Sequence, residues 1–98
     1  MYARVIQFSL KAEHIAEAVH YFQDTVGPAL KELDGFSSAR MLTNATTNQG
    51  QMITIWESEA QRQAAESSGF LTGILKQMGS YFNGSPSVDY YEVSVQVA

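Results

Sequence analysis

Apolar and polar residues alternate at the start of the chain. Residues 3–10 follow the two-residue period of a β-strand, in which neighbouring side chains point to opposite faces. One face is apolar and consists of Ile6, Phe8 and Leu10. The other face is mixed and consists of Val5, Gln7 and Ser9. The pattern therefore predicts a first strand that buries one face.

A helical period follows over residues 13–33. Its apolar residues recur every three or four positions and form one stripe, made of Ile15, Val19, Phe22, Val26, Leu30 and Leu33. Pro28 has no N–H to donate to the carbonyl of Asp24, so we expect a kink or a break at Pro28. Gly35 can adopt the left-handed conformation and is expected to end the helix.

Two more strands are predicted at about 38–44 and at 51–57. The polar stretch between them, residues 44–50, reads as a hairpin turn. In the third strand Ile53 and Ile55 oppose Met52, Thr54 and Trp56.

A second helix is predicted over residues 59–82, with Ser58 as its cap and Gln61 closing a capping box. Its apolar stripe consists of Leu71, Ile74, Leu75, Met78 and Phe82. Extended backwards, the stripe meets the small residues Ala60, Ala64 and Ser67. The stretch 67–69 can bend or split this helix. Alternation over residues 88–97 predicts a fourth strand.

The order of these elements is β-α-β-β-α-β, which predicts an α+β fold with one domain over residues 1–98. Two right-handed strand-helix-strand halves give a four-stranded antiparallel sheet with both helices on one face. The helices cannot cover the other face, which still carries Val, Met or Tyr side chains. We therefore expect a homodimer formed sheet against sheet.

Composition and charge exclude several classes of function. The net charge is −4 and the six basic residues are scattered, which disfavours nucleic acid and anionic membranes as partners. No apolar run reaches the length of a membrane helix, and the start of the chain does not resemble a signal peptide, so we expect a cytoplasmic protein. The absence of cysteine excludes disulfides and thiolate chemistry.

Trp56, the sole tryptophan, is the first candidate for a functional site. It ends a central strand, and the small side chains of Ala60, Ala64 and Ser67 are expected to leave room beside it. That room is filled either by neighbouring side chains, which would make Trp56 a core residue, or by a small apolar or aromatic ligand.

Polar residues inside the strands are the other candidates for a pocket. They are Gln7, Ser9, Arg40, Thr54 and Tyr90. A strand guanidinium such as that of Arg40 can hold a carboxylate or phenolate, but it can equally be a charge that protects a sheet edge. His14 and His20 are interpreted as solvated residues, and no metal site is expected.

Three segments carry a family resemblance: residues 26–36 read V-x-P-x-L-x-x-x-x-G-F, residues 55–60 contain W-E-S-E-A, and a final strand follows a loop that contains Pro86. In these segments the chain resembles the antibiotic biosynthesis monooxygenase (ABM) domains of the dimeric α+β barrel superfamily, which carry a similar strand-ending W-E-S-x-E-A motif. The resemblance implies a ferredoxin-like protomer whose sheet closes a barrel across a homodimer. It also implies that Trp56 lies at the pocket.

Members of that family differ in activity, and this sequence departs from one group of them. Haem-degrading members carry an axial histidine about ten residues after the tryptophan, where this chain has Ala65-Glu66. They also carry an asparagine in the first strand, where the nearest polar residues here are Gln7 and Ser9. The resemblance therefore implies a monooxygenase without a cofactor, with Trp56 at its pocket. For such an enzyme the catalytic candidates are Trp56, together with Arg40 or Tyr90 to hold the anionic oxygen of the substrate. The alternatives are a dimeric barrel that binds a ligand without catalysis and a structural dimer with a filled interior.

Overall fold

The structure is a computed structural model that describes residues 1–98. Its strands are β1 (Tyr2–Ser9), β2 (Phe36–Asn44), β3 (Gln49–Trp56) and β4 (Ser87–Glu92). Its α-helices are α1 (Ile15–Tyr21), α2 (Gly27–Leu30), α3 (Glu59–Ser67) and α4 (Phe70–Met78). None of these helices combines the length and the hydropathy of a membrane-spanning segment.

The four strands form one antiparallel sheet in the order β2-β3-β1-β4. The predicted α+β fold is therefore confirmed, with β1 and β3 in the centre. The hairpin between β2 and β3 is held by Asn44, whose side-chain oxygen accepts hydrogen bonds from the backbone of Thr46 and Thr47. Asn48 has a φ of 60° at the end of this turn.

The first helical region runs without a break at Pro28, but its hydrogen-bonding pattern becomes irregular immediately before that residue. A 3₁₀ turn (Ala12–His14) leads into α1, and a π-helical segment (Phe22–Val26) joins α1 to α2. In that segment the N–H of Gly27 bonds the carbonyl of Phe22, five residues earlier. The wider turn changes the angular spacing, so Ala18 is fully buried whereas Val19 is exposed.

The second helical region is split in two, as the stretch 67–69 suggested. Gly69 has a φ of 82°, in the left-handed region, and it separates α3 from α4. This residue resets the helical phase. The apolar stripe of α4 therefore does not continue along Ala60 and Ala64, which are exposed, and α3 buries Arg62 and Ala65 instead.

The fourth strand is shorter than predicted. Regular pairing with β1 ends at Glu92, and one further hydrogen bond joins the N–H of Val93 to the carbonyl of Met1. Val95 and Val97 are 78% and 89% exposed. Residues 94–98 therefore have no neighbouring strand to pair with.

The core lies between the sheet and the helices. Even-numbered residues of β1 and β3 face the helices, and the buried apolar ones are Ile6, Phe8, Met52 and Trp56. Gly50 also lies on this side, and a side chain there would collide with the Phe8 ring. The opposite side of the sheet, which we call the open face, is covered by no helix.

Candidate functional site

A row of polar side chains crosses the helix-facing side of the sheet. Antiparallel pairing aligns Thr54 of β3 with Arg4 of β1, and Arg4 with Tyr90 of β4. The row beside it is apolar, because Met52 pairs with Ile6. One end of the core is therefore polar, and α3 lies over that end.

Trp56 is fully buried at the edge of this polar row. Its indole Nε1–H donates a hydrogen bond of 3.0 Å to the hydroxyl of Thr54, two residues earlier on the same strand face. The ring of Phe36 meets the indole edge-on at 5.7 Å between centroids. These contacts satisfy the only polar atom of the indole and fix the plane of its ring.

The Glu66 carboxylate of α3 is the centre of a charged cluster above this row. Its Oε1 lies 3.2 Å from Arg4 Nε and 3.1 Å from Arg62 Nη1. Its Oε2 accepts a hydrogen bond of 3.0 Å from the hydroxyl of Tyr90. The Arg62 guanidinium also stacks on the Tyr90 ring, 4.2 Å from its centroid. Helix α3 is thus tied to β1 and β4 through Glu66.

The two guanidinium groups of this cluster are unusually buried. Arg4 is 5% exposed and Arg62 is 8% exposed, whereas the Glu66 side chain is 24% exposed. Arg4 Nε is close to Glu66 but is not aligned for a hydrogen bond, and it is a buried donor without a partner. Two buried cations therefore share one carboxylate oxygen. Such a site can hold an additional anionic oxygen.

The family profile of antibiotic biosynthesis monooxygenases (ABM) matches residues 1–72 of the sequence. The chain belongs to the ABM family. No curated protein matches it. The ferredoxin-like α+β fold that the resemblance implied is confirmed, since solved structures superpose on nearly the whole chain.

Three of these structures illustrate the likeness. A monooxygenase from the gene ActVA-Orf6 of Streptomyces coelicolor, in complex with the ligand Nanaomycin D, has a TM-score of 0.79 and 17% identity, covering 99% of this chain and 90% of its own. SnoaB, a cofactor-independent oxygenase from Streptomyces nogalater, has a TM-score of 0.77 and 12% identity, covering 98% and 95%. Rv0793 from Mycobacterium tuberculosis has a TM-score of 0.76 and 13% identity, covering 99% and 98%.

The predicted site residues of this ABM domain fall on two sides of the sheet. Trp56, Thr54 and Tyr90 share the helix-facing side. Gln7 and Arg40 lie on the open face, since both are exposed and pair with open-face residues of β3. Ser9 has the same parity as Gln7, and its hydroxyl accepts a hydrogen bond from Gln49. The three residues predicted as catalytic are therefore not brought together.

The predicted small-residue wall does not adjoin Trp56. Ala60 and Ala64 line a surface groove of about 350 Å³ with Leu33 and Asp34, and Ser67 is exposed. Trp56 lines neither this groove nor an apolar one of about 310 Å³ between Tyr21 and Phe70. The reason is the phase change at Gly69, which turns these small side chains away from the sheet.

The sequence reasoning missed Arg4, Arg62 and Glu66. Arg4 has the parity of Ile6 and Phe8, so the period-two pattern already placed it on the buried face. Arg62 and Glu66 are four residues apart on one helix, which is the spacing of an ion pair. Glu66 also occupies the region where haem-degrading ABM members carry their histidine.

No group of three or more His, Cys, Asp or Glu side chains could hold a metal ion. His14 lies 3.1 Å from a Glu17 oxygen at the start of α1, and its ring lies against Tyr81. His20 is exposed. Neither histidine contacts the polar row.

Proposed function

We propose that this ABM protein is a cofactor-independent monooxygenase that acts on a small aromatic or polyketide-like substrate. The observation that carries the proposal is the buried Trp56 indole beside the polar row of Thr54, Arg4 and Tyr90. The likeness to a monooxygenase that binds Nanaomycin D and to a cofactor-independent oxygenase supports the same class of reaction.

The proposed chemistry needs only the substrate and oxygen. An acidic methylene group that is conjugated with a carbonyl through an aromatic ring loses a proton and becomes a carbanion. The carbanion reduces O₂ and forms a peroxide, which takes a proton and then loses water to leave a carbonyl. The balance is one CH₂ group and one O₂ converted into one C=O group and one H₂O. The protein contributes by holding the anion and by excluding water.

The position of each predicted catalytic side chain in the sheet indicates its role. Trp56 is fully buried and its N–H is engaged by Thr54, so its part is to hold the polar row in place from within the core. The Tyr90 hydroxyl, on the half-exposed edge strand, donates a hydrogen bond to Glu66 and so orients that carboxylate beside Arg4. Arg40 belongs to the open face, on the other side of the sheet from Trp56.

Oxygen uptake with 1,8-dihydroxyanthrone as the probe tests the proposal. The protein is expected to accelerate uptake above the protein-free rate and to form the matching anthraquinone. Trp56→Phe should lower turnover about tenfold because Thr54 loses its hydrogen bond to the indole and the polar row loses its fixed position. Its cost in stability should be about 1–2 kcal/mol, the cost of a smaller buried side chain.

Two outcomes would count against the proposal. One is that the protein does not accelerate oxygen uptake above the rate in buffer, either with the anthrone or with other phenols that carry an acidic methylene group. The other is a Trp56→Phe protein that turns over as fast as the parent while melting lower, because Trp56 would then be only a core residue. His20→Gln, on an exposed helix face, is the matched control and should change neither quantity.

A homodimer formed through the open face is part of the proposed function. Val5, Ile53 and Ile55 are only partly covered there, and Leu42 and Tyr91 are about half exposed. A second copy would cover this apolar surface and could pair with the alternating residues 93–97.

The dimer is tested by Leu42→Glu, which places a charge on the open face without entering the core. The mass from light scattering should fall from two chains to one at micromolar concentration, while circular dichroism stays unchanged. Lys76→Glu on α4 is the control and should leave the mass unchanged. A monomeric parent protein would refute the dimer.

A non-catalytic dimeric barrel that binds a small ligand is the second candidate. It is favoured by the apolar groove of about 310 Å³ between Tyr21 and Phe70. The complete burial of Trp56 and its absence from the lining of the described grooves favour instead the structural dimer with a filled interior. The ligand-binding barrel predicts saturable binding of the anthrone without oxygen uptake. The same probe therefore separates the two candidates.

A further inference from the structure

We infer that Arg4 forms an anion subsite that binds the carboxylate of an aromatic ligand. This inference deepens the proposed function by naming a feature of its substrate. It rests on that function only in placing the ligand on the helix-facing side of the sheet.

The donors of Arg4 carry the inference. Its guanidinium is almost fully buried, yet no side chain or carbonyl of the chain accepts a hydrogen bond from it. Its one ionic contact, from Nε to Glu66, is misaligned for a hydrogen bond. Nε is the buried donor that lacks a partner. Buried donors are nearly always paired in proteins, so this unpaired donor marks Arg4 as a group that lacks an acceptor.

The charges of the cluster call for a second anion. Arg4 and Arg62 contribute two positive charges, and Glu66 contributes one negative charge between them. Glu59 approaches Arg62 only to 3.9 Å and its side chain is 55% exposed. The buried part of the cluster therefore has an excess of one positive charge, which a ligand carboxylate would balance.

The surroundings of Arg4 fit an aromatic ring. Tyr90 is its neighbour on β4, and Tyr2 lies two residues before it on the same face of β1. Both tyrosines, with Arg62, line a shallow groove of about 200 Å³ that opens at the β4 edge; Tyr91, Glu59 and Glu92 complete the lining. The two glutamates are exposed and lie at the rim. Arg4 itself does not line this groove and lies next to the tyrosines on the sheet, so a ligand ring along Tyr2 and Tyr90 would have to insert its carboxylate between them to reach Arg4.

The geometry also indicates which atoms of Arg4 the ligand would contact. The Nε side of Arg4 faces Glu66, so its Nη1 and Nη2 groups form the free end of the fork. Two parallel N–H donors match the two oxygens of a carboxylate. Glu66 would keep its bonds to Arg62 and Tyr90 when the ligand binds.

Titration of the whole protein with 2-naphthoate and with neutral 2-naphthamide tests the subsite. The readout is the indole N–H resonance of Trp56, the sole tryptophan, whose acceptor Thr54 lies next to Arg4. The naphthoate should bind about tenfold more tightly than the amide, the gain expected from a charge-assisted hydrogen bond. Arg4→Gln should abolish that preference. Arg40→Gln, the same change on the open face, should keep it.

A Glu66→Gln variant sharpens the test, because it removes the competing carboxylate and should strengthen naphthoate binding several-fold. Equal binding of the two probes by the parent and by Glu66→Gln, or a preference that survives Arg4→Gln, would overturn the subsite. Oxygen uptake separates this result from the proposed function. Uptake without carboxylate preference refutes the subsite alone, and carboxylate preference without uptake refutes the oxygenase alone.

Discussion

Arg4 and Arg40 stand in strands of the same sheet, yet they lie in opposite environments. Arg4 faces the helices, is almost fully buried and lies beside Glu66. Arg40 faces the open side, is exposed and makes no ion pair. A strand residue's side of the sheet therefore decides whether its charge is a structural and binding element or a solvated one.

The same contrast holds for the other polar residues. Thr54 binds the indole of Trp56 in the core, whereas Gln7, which lies on the open side, is exposed. We therefore expect substitutions on the helix-facing side to change stability and ligand binding. Substitutions on the open side should change assembly.

The largest effect should come from Trp56→Ala. It removes a fully buried indole and leaves a cavity in the core, which should lower the free energy of unfolding by about 3–5 kcal/mol. Gln7→Ala on the open side should change it by less than about 0.5 kcal/mol. Urea unfolding followed by circular dichroism measures both. Similar losses in the two variants would break the contrast between the faces.

Glu66→Gln should have the next largest effect. It leaves two buried guanidinium groups without a counter-charge, and the loss should be about 2 kcal/mol because Glu66 is partly solvated. Arg4→Met should be milder, since Glu66 keeps Arg62 and Tyr90. Urea unfolding followed by Trp56 fluorescence measures both. If Arg4→Met lost more free energy of unfolding than Glu66→Gln, the charge of Arg4 would be fully balanced by Glu66 in the parent protein.

The smallest of these effects should come from Thr54→Val. This change keeps the shape of the side chain but removes the acceptor of the Trp56 N–H, at a cost of about 1–2 kcal/mol for a buried unpaired donor. Thr43→Val, at an exposed position of β2, is the control and should be neutral. Thermal melting and the Trp56 emission maximum would report the change, and an unshifted melting temperature would contradict it.

The sequence was sufficient to predict the fold, but only part of the site. Apolar residues recur every two positions in a strand and about every 3.6 positions in a helix. Each pattern belongs to a single element, so the patterns revealed which strands and helices are present. The burial of Ala18 in place of Val19 depends on the π-helical segment, and the exposure of Ala60 depends on the left-handed Gly69. Both are irregularities that a regular period does not contain.

The charged cluster could be predicted only in part. The parity of Arg4 placed it on the buried face, but its neighbours on α3 follow from how that helix crosses the sheet. Arg40 was the more visible candidate because an arginine amid polar strand residues resembles a pocket residue. Its side of the sheet could be fixed only by its pairing with Ile53.

The π-helical segment between Phe22 and Val26 also affects how this chain is compared with its relatives. A π turn holds one more residue per turn than an α-helix between fixed flanks. A relative with a plain α-helix here would therefore be one residue shorter, with its residues at the Ala18 and Leu30 positions still in the core. An alignment should place a single-residue gap within 22–26, so that the strands on either side stay in register.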